Sequence, residues 1–132
     1  MNNINILAIK TQELIFTNKI EQAQVEMSIG NKYAYNVRYG SNNICRGEFT
    51  AEVFRNEDPE SFNIKITMIA TFSHPPETSK EDIHRYSYGE IFPYVRAAVT
   101  NATASAGIPP IYLPYVDISG QDVYRIELPK KT

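Results

Sequence analysis

His74 and His84 are the only imidazoles in the chain; they stand ten residues apart, with Glu77, Glu81 and Asp82 nearby. Such groups could ligate a divalent metal, but neither a helical nor a hairpin spacing joins them, and both are expected to be solvated loop residues. Cys45 is the single cysteine, so no intrachain disulfide can form and a thiolate metal site would lack partners. It opens a strand beside a polar turn and reads as a plain core or rim thiol rather than a nucleophile. The chain carries no serine nucleophile elbow, no phosphate-cradling glycine loop and no HEXXH pair. No catalytic constellation emerges, and neither an enzymatic activity nor a cofactor or metal is expected.

Tyrosine is the more informative residue, with nine copies against no tryptophan. Tyr33, Tyr35 and Tyr39 share one strand face with Val37, which fits two readings: core filling with hydroxyls at the rim, or an amphipathic surface for apolar, variable ligands. Tyr86, Tyr88, Phe92, Tyr94, Tyr112 and Tyr115 flank a proline-rich stretch and would extend such a surface.

The elements that must position these rings divide near residue 74. Seven of the eight prolines lie beyond it, so a sheet is expected in the first half, where ladder donors are intact. Residues 24–39 alternate with a period of two, and Gly30-Asn31 is placed to bend or bulge that strand. Gly40-Ser41-Asn42-Asn43 reads as a hairpin link to a strand carrying Phe49, Ala51 and Val53. Asn56 to Pro59 turns the chain into Phe62, Ile64, Ile66, Met68, Ala70 and Phe72. Residues 4–16 form a weaker strand whose alternation changes phase between Ile9 and Leu14, as a kinked or edge strand does. The sum is an antiparallel meander of about four strands.

After His74-Pro75-Pro76, Ser79 and Asp82 suggest a capping box for a short helical turn. The main helix is expected to open at Phe92-Pro93 and to end at Gly107. Its apolar residues are small, and Ala98, Ala102 and Ala106 form a face suited to close packing against a sheet or a symmetry mate. Residues 108–116, with Pro109, Pro110 and Pro114, must run extended, and 123–128 suggest a last short strand.

With 132 residues, 42% apolar and 21% charged, the chain is composed like one globular domain spanning 1–132. Thirteen basic against fifteen acidic residues give a net charge of −2, which supplies no field for a polyphosphate, so nucleic acid is not an expected partner. The opening MNNINILAIK has neither a basic leader nor a cleavable apolar stretch, and no run is long enough for membrane insertion. A soluble protein of a reducing, cytoplasmic compartment is expected.

The stretch IFPYVRAAVTNATASAGIPPIYLPYVDI, Ile91 to Ile118, resembles the most recognisable segment of the bacterial SecB export chaperones. Those proteins carry Phe-Pro-Tyr-Ala-Arg at a helix opening, then Gly-x-Pro-Pro, then Leu-Ala-Pro-Val-Asn-Phe. The matching residues are Phe92, Pro93, Tyr94 and Arg96, then Gly107, Pro109 and Pro110, then Leu113, Pro114, Val116 and Asp117. The resemblance implies an α+β fold in which a four-stranded antiparallel sheet carries its helices, one main and one short, on one face, assembled as a dimer of dimers. It further implies binding of unfolded or extended client polypeptides in long apolar grooves without nucleotide. Phe92, Pro93, Tyr94 and Arg96 would then fix the helix opening, with Ala98 and Ala102 at the oligomer interface. Gly107, Pro109 and Pro110 would set the return into Leu113 and Pro114, and Tyr33, Tyr35, Tyr112 and Tyr115 are candidates for groove lining.

Departures from that pattern redirect the expected partner. Family members reach the export motor through an acidic sheet surface and an acidic, zinc-binding tail; this chain ends VYRIELPKKT, basic and without metal ligands. Lys65 stands where an acidic residue is typical, and Glu13 alone keeps that character. These losses count against the export motor as a partner and favour a holdase serving a narrow client, such as the antitoxin of a toxin–antitoxin pair. The alternative is a non-catalytic structural or small-ligand-binding module that reuses the fold.

Overall fold

The computed structural model describes residues 3–21 and 28–116. Four strands, β1 (Asn5–Asn18), β2 (Ile29–Tyr39), β3 (Ile44–Arg55) and β4 (Phe62–Ser73), precede a single long helix, α1 (Lys80–Ser105). All neighbouring strands are antiparallel, but the order across the sheet is β1-β4-β3-β2. The meander expectation is corrected here: only β2, β3 and β4 follow one another, and β1 sits on the far side of β4. The reason lies in β4, which has neighbours on both sides and buries Thr67 and Ile69 on its second face as well as Ile64, Ile66, Met68, Ala70 and Phe72 on the first. Ile69, set among polar alternates, marks it as a central strand.

The phase change read in the first strand is present. Register shifts at Ile6/Ala8 and Thr11/Glu13 leave Leu7 and Gln12 as extra residues in β1, the second of them between Ile9 and Leu14. The strand runs to Asn18, two residues beyond the expected end. Gly30 makes no bend: it pairs with Phe54 in an unbroken register. A Cβ there would stand 2.6 Å from the Phe54 ring and from the Asn56 amide, so a larger residue would have to displace one of these side chains. The Gly40–Asn43 hairpin is closed by Asn42 and Asn43, both with positive φ, and by the Ile44 amide donating to the Ser41 carbonyl.

Ser79 caps α1 by accepting from the Asp82 amide, but the turn it starts does not stop. The expected short turn and main helix are one helix of 26 residues, and Phe92-Pro93 lies at its middle, not at its opening. Pro93 cannot donate to the Gly89 carbonyl, a local penalty. It is outweighed by a buried ridge at every fourth position, Ile83, Ser87, Ile91, Val95, Val99 and Thr103, which runs unbroken past the proline. The helix ends as the sequence suggests: Gly107 has φ +84°, its amide donates to Ala104 and that of Ile108 to Thr103, the paired bonds of a Schellman motif. Residues 109–116 form neither helix nor strand. Expectations on residues 24–27, Asp117 and the 123–128 strand lie outside the described residues.

The helix packs on one face of the sheet, against Tyr35, Cys45, Phe49, Ala51, Val53 and the inward residues of β4. Its other neighbour is the chain that follows it.

Candidate functional site

The return segment 111–116 is seated along α1 by a ladder of polar contacts spaced one helical turn apart. The Ile111 amide donates to Thr103 Oγ1 at 2.9 Å and its carbonyl accepts from Thr100 Oγ1 at 2.9 Å. Two residues on, the Leu113 carbonyl accepts from Arg96 Nε at 2.9 Å, and the Pro114 carbonyl accepts from the Tyr33 hydroxyl at 2.8 Å. An extended segment presents alternate residues to one side, and Leu113 is accordingly buried while Tyr112 and Pro114 face outward. The Arg96 guanidinium also lies over the Phe92 ring, 4.9 Å from its centroid.

Beneath this strap sits an aromatic cluster. Phe49 and Tyr88 stack at 5.2 Å, Tyr33 meets Phe49 and Phe92 edge-on, and Tyr115 meets Phe92 at 5.1 Å with perpendicular rings. Tyr35 is part of the same cluster but only 2% exposed, its hydroxyl bonded to Ser87 Oγ. Gly47, directly opposite Val37, leaves room for that hydroxyl. Of the four tyrosines proposed for groove lining, Tyr35 is therefore a core residue with no surface to offer. Tyr33 is half-buried at the edge strand, whereas Tyr115 and Tyr112 are 50% and 68% exposed. Tyr94 and Val116 add further exposed apolar surface to the helix and strap.

Burial raises the pKa of the Tyr33 phenol, an effect opposed by the charge of Arg96, and raises those of the Tyr35 phenol and the Cys45 thiol. Each therefore stays protonated and neutral well beyond neutral pH. His84 is not a loop residue: it is buried in α1 with its ring 5.2 Å from that of Tyr35. His74 stays in the loop, Nδ1 at 2.9 Å from the Pro75 carbonyl. Among the described residues no three His, Cys, Asp or Glu side chains are grouped to hold a metal ion, and no helix is long and apolar enough to cross a membrane.

Phe92, Arg96, Leu113 and Pro114 thus meet in one place, while Gly107, Pro109 and Pro110 form the corner that brings the strap back. Ala98 and Ala102 are half-buried, Ala98 packing on the chain's own core, while Ala97 and Ala104 are exposed. Thr100 and Thr103, which hold the strap, escaped the sequence reading; their spacing along the Arg96 face of the helix was the available signal.

No family profile matches the chain, and no curated protein matches it in sequence. Among solved structures it is similar to a SecB-like chaperone of Mycobacterium tuberculosis in complex with a ChAD peptide from the HigA1 antitoxin. The two share 11% identity with a TM-score of 0.65 over 86% of this chain and 87% of that one. A protein of unknown function from Streptococcus agalactiae aligns over 87% of this chain and 99% of that one, at 8% identity and a TM-score of 0.47. The chain has a SecB-like fold, as the Ile91–Ile118 resemblance implied.

Proposed function

We propose that this chain is an ATP-independent holdase of SecB type, capturing unfolded or extended polypeptide, and that it serves a narrow client such as an antitoxin rather than the general export route. The observation that carries the reading is the half-open aromatic cluster: Tyr33 and Tyr115 form its outer edge over the buried Phe92, with Tyr112 and Val116 on the strap beside it. Broad aromatic rings bury client side chains at little conformational cost and with no demand on client sequence. The solved neighbour was captured with an antitoxin peptide, which supports a peptide client here.

The protein acts in the cytoplasm without nucleotide, metal or catalysis, and assembles with itself, two pairs forming a tetramer. Exposed Leu7, Leu14 and Ile15 on the outer strand β1 support self-association, since a long apolar edge left in water invites pairing. The export motor is not among its partners in this reading.

The test is light scattering from a chemically unfolded client diluted into buffer with and without equimolar protein, no ATP present. Suppression is expected, and loss of suppression in the folded Tyr112→Ser/Tyr115→Ser variant. A stable monomer that leaves aggregation unchanged contradicts the reading and points to a structural or small-ligand module.

A further inference from the structure

The face of the sheet turned away from α1 carries a different chemistry. The strand registers place Arg38 directly opposite Arg46, and Lys65 and Lys32 on either side of Glu52; Lys10 stands beside Ile69. These five basic residues share the face with three carboxylates, Glu13, Glu48 and Glu52, an excess of positive charge on a chain whose net charge is −2.

The Arg38–Arg46 pair is the least balanced part. Like charges directly opposite one another destabilise a sheet, both arginines are exposed, and neither forms an ion pair: among the described residues the ion pairs are Arg55–Glu57 and Arg85–Asp82. Glu48, one register step away, does not close the gap. Around the pair lies a recess of about 140 Å³ lined by Gln12, Asn36, Arg38, Arg46, Glu48 and Ile69. Gln12 reaches it as the extra residue of the second bulge in β1, and such bulges re-aim side chains. Ile69, 8% exposed, lies against an apolar side of the recess.

We infer that this face docks an acidic, extended segment of a partner protein, with one carboxylate received between Arg38 and Arg46. Two guanidiniums and two side-chain amides offer the donors that a carboxylate accepts, in the geometry arginine suits best. A polypeptide fits the face better than nucleic acid. An extended peptide can set neutral residues opposite Glu48 and Glu13, whereas a nucleic acid carries a phosphate at every nucleotide and would meet those carboxylates.

The probe is a fluorescein-labelled glutamate-rich peptide, read by fluorescence anisotropy with full-length protein at low and raised salt. A lysine-rich peptide and a single-stranded oligonucleotide serve as competitors. Binding that weakens with salt, and about tenfold weaker binding in Arg38→Gln/Arg46→Gln, is expected. Both positions are on the surface, so the variant's thermal midpoint should not fall. Glu48→Gln should tighten binding. No binding of the acidic peptide, equal binding by the double variant, or stronger competition by the oligonucleotide overturns the assignment. The aromatic variants Tyr112→Ser/Tyr115→Ser lie on the other side of the molecule and should bind the peptide as the parent does, so this test and that of client holding fail separately.

Discussion

At the scale of single residues, the polar contacts between helix and strap do what burial alone cannot: they fix the register of a segment that, among the described residues, has no ladder partner. Thr103 is fully buried and its hydroxyl bonds both the Val99 carbonyl and the Ile111 amide. Thr103→Val keeps the shape and removes the acceptor, stranding the Ile111 amide, so a loss of about 1–3 kcal/mol in chemical denaturation is expected, with faster hydrogen exchange at that amide. Tyr35 gives a pH signature. Burial holds its phenol protonated in the folded state while the unfolded phenol ionises near pH ~10, so the unfolded state releases its proton first. Stability should therefore be level across neutral pH and fall as pH rises above that value. In Tyr35→Phe the fall should be shallower, at the cost of the Ser87 bond, about 1 kcal/mol at neutral pH. An equally steep fall in the variant would assign the effect to other groups. Residue-scale reading succeeded for Ser79 and Gly107, whose roles follow from local backbone chemistry. It failed for His84, because nothing within a few residues of it reports that Tyr35, 49 positions earlier, is its neighbour.

At the scale of elements, alternation exposed the four strands and even the irregularity of β1, since period two is visible without knowing the partner. The order of the strands was not visible: β1 and β4 are joined by a pairing from Asn5↔Ser73 to Asn18↔Phe62, and only the two-sided burial of β4 betrays it. The helix start was missed for a related reason. Proline at residue 93 carries a strong local signal for a first helical turn, whereas the ridge from Ile83 to Thr103 that carries the helix through it draws its stabilisation from the sheet. The C-terminal stop needs no tertiary help. Gly107 has positive φ with nothing within 4 Å of an added Cβ, so Gly107→Ala isolates the backbone cost. A destabilisation of about 1–2 kcal/mol is expected from thermal melts, with Gly107→Asn milder. No change for alanine would mean that the strap, not the cap, terminates the helix.

At the scale of the whole molecule, among the described residues one helix and its strap cover one face of a four-stranded sheet, and the two sides divide by chemistry: aromatic rings on one, an excess of basic side chains on the other. The Ile91–Ile118 segment made the fold legible because Gly107, Pro109 and Pro110 set the corner where the chain leaves the helix, while Phe92 and Tyr115 meet between helix and strap. The groove was only partly legible: alternation put Tyr33 and Tyr35 on one face but could not tell that the second lies under α1. The central claim is that the aromatic edge holds non-native polypeptide. It is tested most directly by the scattering of an aggregating client in the presence of equimolar protein without nucleotide. Scattering should be suppressed by the parent chain and return when Tyr112 and Tyr115 are changed to serine. Full aggregation beside the intact, folded protein would contradict it.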